Sequence, residues 1–151
     1  MRLNLGCGSR ILPGHVNVDI AKIDGADVIC DLDVKPWPWD DGTVESIEAK
    51  DVFEHVADPV TFMTECHRVL APGGRLHIRT PNVFANAADA FTDPTHRRFP
   101  TPHTFDYWLP GTALYEASNA AYGGVAFTGD RLVANDNGAL DVTLRKPDAQ
   151  P

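Results

Sequence analysis

Apolar residues in the first half of the chain occur in short runs, separated by turns rich in glycine, proline and aspartate. Runs of this length that are bounded by turn residues are typical of strands. They predict five strands: Arg2 to Leu5, Val16 to Ile20, Asp27 to Cys30, Ser46 to Lys50 and Arg75 to Thr80. The loop "KPWPWDDGT" precedes the fourth strand, and we expect Trp37 and Trp39 within it to pack over the sheet.

One stretch has the spacing of a helix. In "DPVTFMTECHRVLAPGG", Asp58 is suited to cap the N-terminus and Pro59 to occupy the first helical position. Glycines and a proline end the helix at Pro72-Gly73-Gly74. Apolar residues three and four apart predict one buried stripe, formed by Val60, Met63, Cys66 or His67, and Leu70.

This order of elements predicts an α/β fold with a Rossmann-like, doubly wound and mainly parallel sheet. Too few residues separate Gly8 from Val16 for a full helix, so the first crossover is expected to be shortened to a turn around Ser9 to Pro13. Near the C-terminus, "RLVANDNGALDVTLRKP" predicts an antiparallel hairpin that turns at Asn135 to Gly138.

The length of 151 residues predicts a single domain over residues 1–147, followed by a disordered tail over 148–151. The pattern of apolar runs and turn residues becomes less regular between Val83 and Gly124. Within this segment a short helix is expected over Ala85 to Phe91. The rest of that segment mixes prolines, aromatics, histidines and arginines. We interpret it as a long loop that covers the substrate, because long loops in compact domains are usually functional.

Composition narrows the partners and the compartment. The formal net charge of −8 argues against a nucleic acid partner, since proteins that bind the phosphate backbone usually present a basic face. Three cysteines without a CxxC pair favour a reducing, cytoplasmic location. No apolar run approaches the roughly 18 residues of a membrane span, and no signal peptide is recognisable, so membrane insertion is not expected.

The opening stretch "LNLGCGSRILPGHVNVDI" carries the most specific chemistry. Gly6 and Gly8 allow the backbone to turn sharply and a ligand to approach closely. Asp19 ends the next strand, where a carboxylate can accept hydrogen bonds from ribose hydroxyls, and Asp31 follows the third strand. Ile11 stands where a dinucleotide fingerprint has its third glycine, which favours a nucleoside without a pyrophosphate.

Several blocks in order make a resemblance to a known family specific: "LNLGCGS", "NVDI", "CDLDVKPWPWDDGTVESIEAKDVFEHV" and "ECHRVLAPGGRLHIRTPN". Together they resemble a class I S-adenosylmethionine-dependent methyltransferase of the small type-11-like branch, over Arg2 to Asn82. The resemblance implies S-adenosyl-L-methionine as cofactor and an enzyme that transfers its methyl group.

The resemblance also implies roles for individual residues. Gly6, Cys7 and Gly8 would contact the methionine part of the cofactor, Asp19 the ribose, and Asp51 and Val52 the region near the sulfonium. The adenine would lie against three residues, Ile20, Asp31 and Leu32. Asn4 stands where the family usually has an acid and is counted with the cofactor-binding residues.

His55 is the first catalytic candidate, as a general base, because the ordinary pKa of a histidine side chain, about 6.5, suits proton transfer near neutral pH. Glu54 and His96 are the others. The alternative is that Glu54 and His55 form an ordinary pair at a helix start. Four further residues suggest a metal, but their spacing matches no strong signature and no metal is predicted: Asp93, His96, His103 and Asp106.

The function expected from this resemblance is methyl transfer to an oxygen or nitrogen of a small molecule, such as a sugar, a lipid-linked compound or a natural product. "DVFE" stands where amino-methylating DNA enzymes carry their motif, which argues against DNA as acceptor. One alternative is a cofactor-binding scaffold without activity of its own. A weaker one is a nicotinamide-dependent oxidoreductase, which the missing third glycine disfavours. A homodimer remains an open expectation.

Overall fold

The computed structural model describes residues 1–122, 124–134 and 138–149. Within them the chain forms one sheet in the order β3-β2-β1-β4-β5-β7-β6. The strands are β1 (Arg2–Leu5), β2 (Val16–Asp19), β3 (Val28–Ile29), β4 (Val44–Lys50), β5 (Leu70–Pro81), β6 (Thr128–Ala134) and β7 (Ala139–Arg145). Neighbours among β1 to β5 are parallel, whereas β7 pairs antiparallel with β5 and β6. The predicted α/β class is therefore confirmed. Residues 135–137 of the predicted hairpin turn, and residues 150 and 151, lie outside the described residues.

The helices are α1 (Pro59–Val69), α2 (Ala87–Thr92) and α3 (Ala113–Tyr122), with a 3-10 helix over Pro102–Trp108. Asp58 caps α1 as predicted, since its Oδ1 accepts the N–H groups of Val60 and Thr61. The predicted stripe is wrong at its first position, because the Val60 side chain in the first turn is 41% exposed. The apolar residues that α1 buries are Phe62, Met63, Cys66 and Val69.

The predicted shortening of the first crossover is confirmed, and it extends further along the chain. No helix lies between β1 and β2, between β2 and β3, or between β3 and β4, which the described residues cover without a gap. Parallel strands are usually joined by a helix, so loops here take its place. Trp37 in the third loop is 2% exposed, and its ring lies 5.6 Å from that of Phe62 on α1. The expectation that this loop packs over the sheet is confirmed.

The short helix expected over Ala85 to Phe91 is present as α2, but the rest of the segment up to Gly124 is not one irregular loop, because it contains the 3-10 helix and α3. Phe105 and Trp108 are buried, with ring centroids 5.2 and 6.2 Å from Phe53. The helix α3 escaped prediction because it buries Ser118 rather than an apolar stripe. The role of this segment as a cover for the substrate stays a prediction. No helix in the described parts of the chain is both long and apolar enough to cross a membrane.

Candidate functional site

The turn after β1 is shaped by two glycines in the left-handed region. Gly6 has φ +57°, and a Cβ there would lie 2.4 Å from Cγ2 of Val52, so this position must be glycine for Val52 to close on it. Gly8 has φ +48°, and a Cβ there would meet nothing within 4 Å. The backbone at Gly8 therefore faces open space into which a ligand can come close.

Asp19 is held at the carboxyl end of β2 by backbone donors. Its Oδ2 accepts the N–H of Gly8 at 2.9 Å, and its Oδ1 accepts the N–H of Ala21 at 3.0 Å. Each carboxylate oxygen keeps a further lone pair for a ligand. Asp19 thus joins the glycine turn to the second strand and presents a fixed acceptor for hydroxyl groups.

A cavity of about 300 Å³ opens at the carboxyl ends of these strands. This is the edge at which open parallel sheets bind ligands. Four residues of its lining come from the first two strand ends: Gly6, Gly8, Asp19 and Ile20. Four more come from the ends of β3 and β4: Asp31, Leu32, Asp51 and Val52. The structure therefore brings together eight of the residues predicted to contact the cofactor.

Asn4 and Cys7 lie behind this cavity and not on its surface. Asn4 is fully buried, and its Nδ2 donates to the carbonyl of Arg10 at 2.7 Å and to Oδ1 of Asn17 at 2.8 Å. Cys7 is 2% exposed, and burial raises the pKa of its thiol. The expectation that Asn4 contacts the cofactor is thus corrected, because its amide is engaged in fixing the shape of the loop.

The cavity also has walls that sequence reasoning did not include: Cys30, Asp33 and Val56. The N–H of Asp33 donates to Oδ1 of Asp31 at 3.0 Å, and Oδ1 of Asp33 accepts the N–H of Ala57 at 2.8 Å. Asp33 thereby ties the loop after β3 to the turn after β4. In the sequence, the signal that could have identified Asp33 as a lining residue is its position two residues after Asp31.

Asp51 directly follows β4 in a strained conformation, with φ +55° in a residue other than glycine. Its N–H donates to the carbonyl of Arg79 at 2.8 Å. Nη1 of Arg79 in turn contacts both carboxylate oxygens of Asp51, at 2.8 and 3.0 Å. These contacts with β5 hold the chain in the turn that places the next residues at the cavity.

A second cavity, of about 420 Å³, adjoins the first and shares Asp51 and His55 with it. Its lining is mostly polar and includes Glu54, Arg79 and His96. The three residues predicted to be catalytic, His55, Glu54 and His96, all lie on its wall. The structure thus places Glu54 and His96 beside the first cavity and not inside it, whereas His55 lines both cavities.

Glu54 is 1% exposed, and Oγ1 of Thr80 donates to its Oε2 at 2.9 Å. Burial is the main reason that the pKa of Glu54 is raised above its ordinary value. The backbone carbonyl of Glu54 accepts the N–H groups of Arg97 and Arg98 at 2.8 and 3.0 Å. These two bonds dock the segment 93–98 onto the turn after β4.

The two histidines approach each other across this docking contact, with ring centroids 4.8 Å apart. Nδ1 of His55 lies 3.3 Å from the carbonyl of Thr95, and Nδ1 of His96 lies 2.8 Å from that of Ala90. His103 does not join them. Its side chain is 83% exposed and pairs with Asp106 at 3.0 Å.

The first cavity fits a nucleoside by the chemistry of its walls. Asp19 supplies a fixed carboxylate for ribose hydroxyls, and Leu32 and Ile20 supply apolar side chains for a base. Gly8 leaves room for close approach of a ligand to the backbone. The N–H of Gly8 is already used by Asp19, so a tail of the ligand at this turn would rely on other donors.

Comparison with known proteins gives a family match, curated relatives and solved structures of similar fold. The model of a family described as a methyltransferase domain matches residues 13–78. A Mycolicibacterium smegmatis protein, named a probable S-adenosylmethionine-dependent methyltransferase, is 38% identical over 63 residues, which are 40% of this chain and 24% of that protein. The ubiquinone biosynthesis O-methyltransferase of Xanthomonas oryzae is 30% identical over 110 residues, covering 56% of this chain and 46% of its own length. The chain therefore spans less than half of these curated relatives.

A solved structure of similar fold is that of the Burkholderia thailandensis 1,6-didemethyltoxoflavin-N1-methyltransferase with bound S-adenosylhomocysteine. The TM-score is 0.59 and the sequence identity is 16%, over 97% of this chain and 71% of the other. At a sequence identity of 16%, this similarity is evidence for a shared fold alone.

Proposed function

We propose that the chain transfers a methyl group from S-adenosyl-L-methionine to an oxygen or nitrogen of a small molecule, because a methyltransferase-domain model matches residues 13–78 and the fold is similar to that of such enzymes. The resemblance noted in the sequence is confirmed by the family match and the relatives. They also support S-adenosyl-L-methionine as the cofactor and an enzyme of the methyltransferase class.

The observation that carries the proposal is the junction of the two cavities at Asp51 and His55. A methyl transfer needs the donor and the acceptor side by side, so that the acceptor atom can attack the methyl carbon in line. The first cavity has the walls for a nucleoside, and the second lies directly beside it. We assign the donor to the first and the acceptor to the second.

Within the first cavity, Asp19 would accept hydrogen bonds from the ribose, and Ile20 and Leu32 would lie against the adenine. Gly6 and Gly8 would border the methionine part, and Asp51 and Val52 would line the region near the sulfonium. When bound, the cofactor supplies an electrophilic methyl group. The residues around it orient that group towards the second cavity, and this positioning would supply most of the rate enhancement.

The acceptor is proposed to be a small molecule, for example a sugar, a lipid-linked compound or a natural product. The net charge of −8 disfavours a nucleic acid. One relative is named for O-methylation in ubiquinone biosynthesis, and one fold neighbour for N-methylation of a toxoflavin precursor, so both acceptor atoms fit. Any proton that the acceptor loses would leave at the corner formed by Glu54, His55 and His96. His55 as the base, and a homodimeric or cytoplasmic protein, stay predictions.

A second candidate function is a binding protein for S-adenosylmethionine or S-adenosylhomocysteine that has no activity of its own. The absence of helices from β1 to β4, a stretch that the structure describes in full, favours it, because the cofactor cavity is then bordered by loops. This binding protein would use the first cavity as the methyltransferase does. It would differ in that no acceptor is methylated in the second cavity.

Calorimetric titration with S-adenosylmethionine and S-adenosylhomocysteine tests the donor site. We expect binding by the parent chain and a loss of affinity of about tenfold or more in Asp19→Ala, as the loss of charge-assisted hydrogen bonds implies. Asp24→Ala is the matched control, because Asp24 is exposed in the following loop and does not line the cavity. A parent chain that binds neither ligand at millimolar concentration would refute both functions.

Transfer itself is tested with methyl-labelled cofactor and a broad panel of hydroxyl and amine compounds. Label that moves to a compound in the parent reaction, and not in the Asp19→Ala reaction, supports the methyltransferase. Cofactor binding without label transfer to any compound supports the binding protein.

A further inference from the structure

The corner between the cavities brings together three side chains that can bind metal ions. One donor atom each from Glu54, His55 and His96 lies within 4.8 Å of the other two. All three residues line the second cavity. Two of them belong to the turn after β4, and the third belongs to the segment 93–98 that docks on it through the carbonyl of Glu54.

Each of the two imidazole rings is fixed by a hydrogen bond at one nitrogen, which leaves the other nitrogen to bind an ion. A carbonyl only accepts, so the contacts of His55 with Thr95 O and of His96 with Ala90 O place the hydrogen on Nδ1 of each ring. Oγ1 of Thr95 agrees with this, because it donates to Asp93 at 2.6 Å and therefore accepts from Nδ1 of His55 at 3.1 Å. Each Nε2 then carries a lone pair. Histidines that bind metals are usually fixed in this way, through a carbonyl at the other nitrogen.

The third donor is a buried carboxylate. Glu54 receives one hydrogen bond, from the neutral hydroxyl of Thr80, and a carboxylate has lone pairs to spare after one bond. Burial makes a positive charge nearby favourable for such a group. Asp93 adds a second acid at the edge, with Oδ2 3.9 Å from Nε2 of His96.

We propose that Glu54, His55 and His96 bind one divalent transition-metal cation, of which Zn²⁺ is the representative. Two imidazole nitrogens and one carboxylate oxygen are the donor set of zinc and related ions, whereas Mg²⁺ prefers oxygen alone. Three protein ligands leave coordination positions open, and these would face the second cavity. The site departs from the expectation of no metal, and it uses only one of the four residues considered for a metal in the sequence.

The donor atoms must approach one another when the ion binds. Ligand atoms about 2.0–2.2 Å from one tetrahedral ion are separated by roughly 3.3 Å, so a separation of 4.8 Å must shrink by about 1.5 Å. Small side-chain rotations at His55 and His96, the two ligands that are not fully buried, can supply this. Binding would then fasten the segment 93–98 to the turn after β4, and a gain in thermal stability is expected.

The consequence for chemistry rests on the proposed function. An acceptor hydroxyl that coordinates to the cation would lose its proton more readily, because the cation lowers the pKa of a bound hydroxyl. The O–H bond would break, its electron pair would stay on the oxygen, and the proton would pass to water. His55 would serve as a ligand in that case and not as the base.

The test uses the full chain without an affinity tag, treated with a chelator and titrated calorimetrically with Zn²⁺, Co²⁺ and Mg²⁺ in the absence of cofactor. We expect one Zn²⁺ or Co²⁺ per chain and no binding of Mg²⁺. His96→Ala and Glu54→Gln should each weaken Zn²⁺ binding by about tenfold or more. His103→Ala is the matched control, because His103 is exposed and lies outside the cluster.

Thermal unfolding gives a second readout. Zn²⁺ should raise the Tm of the parent and of His103→Ala, and leave that of His96→Ala unchanged. Parent protein that takes up no stoichiometric Zn²⁺ overturns the proposal, and so does equal affinity in His96→Ala. If Glu54→Gln does not fold, His96→Ala decides alone. Cofactor titrations on chelator-treated protein report separately on the proposed function, so the two failures are distinguishable.

Discussion

Asn4 and Asn17 lie opposite each other on β1 and β2, and Nδ2 of Asn4 donates to Oδ1 of Asn17 at 2.8 Å. Both side chains are buried. Asn17 also bonds to the backbone of Leu12 in both directions, through Oδ1 to the N–H and through Nδ2 to the carbonyl. Two asparagine side chains therefore satisfy backbone groups of the loop 6–15 that a crossover helix would have satisfied internally.

Asn4→Asp is expected to destabilise the protein, although the resemblance associates an acid with this position. The N–H of Leu12 fixes Oδ1 of Asn17 as an acceptor, and the carbonyl of Arg10 is another, so position 4 must donate. A carboxylate there would face two acceptors, with partial relief from the guanidinium of Arg10 at 3.1 Å. We expect a loss of about 1–3 kcal/mol in the free energy of unfolding, measured in urea. Asn119→Asp, on the exposed side of α3, should stay within about 0.5 kcal/mol of the parent.

Gly8→Ala and Gly14→Ala form a matched pair. Both glycines have positive φ, 48° and 76°, and open space at the Cβ position. Each substitution should therefore cost about 1–2 kcal/mol of stability. Only Gly8 lines the cofactor cavity, so only Gly8→Ala should also weaken S-adenosylmethionine binding, by about tenfold. Calorimetry at a temperature where both variants are folded separates the two effects. Equal loss of affinity in both would contradict the placement of the cofactor at Gly8.

Arg68→Lys should destabilise the loop that replaces the third crossover. The guanidinium of Arg68 donates to the carbonyls of Trp37 and Trp39 and to the carboxylates of Glu65 and Asp41. An ammonium group cannot reach these acceptors together, since it lacks the planar fork of arginine. The largely buried carboxylate of Glu65 would lose some of the hydrogen bonds that compensate for its burial. We therefore expect the free energy of unfolding, measured by chemical denaturation, to fall by about 2–3 kcal/mol. A loss as small as that of a surface ion pair would show that the loop is held by the tryptophan rings alone.

His77 should make the stability depend on pH. It lies on β5 between Glu48 of β4 at 2.8 Å and Asp141 of β7 at 3.1 Å, and the hydrogen bond to Glu48 is the main cause of its raised pKa. A raised pKa in the folded state means that the stabilisation is complete below the unfolded value of about 6.5 and is lost as the pH rises through the folded value. The free energy of unfolding should therefore fall as the pH rises above about 6.5 and through the raised pKa of the folded state.

The matched variant for this effect is His77→Gln, which keeps hydrogen bonding but does not titrate. Its unfolding free energy should fall less steeply over the same range. A parent and a variant with parallel pH profiles would assign the dependence to other groups.

Capping and turn residues were sufficient to predict those helix and strand ends that depend only on residues close by in the sequence. The prediction of β1 was correct at both ends, because Gly6 stops the strand. The predicted start of α1 was also correct, because Asp58 and Pro59 mark it. The lining of the first cavity was predictable for the same reason, since most of its residues follow strand ends. Helix α3 was not, because its sequence has no apolar stripe for a periodicity to detect.

Glu54, His55 and His96 were each catalytic candidates in the sequence, but their contact with one another could not be predicted, because it joins distant parts of the chain. The carbonyl of Glu54 has to accept the N–H groups of Arg97 and Arg98 before His96 reaches His55. Nothing in the spacing of these residues encodes that contact. The burial of Asn4 was missed for a similar reason, since its partners are set by the shortened loop.

The lining of the two cavities divides along the chain. Every lining residue of the first lies between Gly6 and Val56, whereas the second takes most of its walls from Arg79 onwards. On the proposed function, mutations from Arg79 onwards can alter the choice of acceptor while the donor cavity keeps its walls. Natural variation within one lineage can thus yield new acceptor preferences by changing the later half of the gene, and exchange of that half between homologues offers the same route in the laboratory.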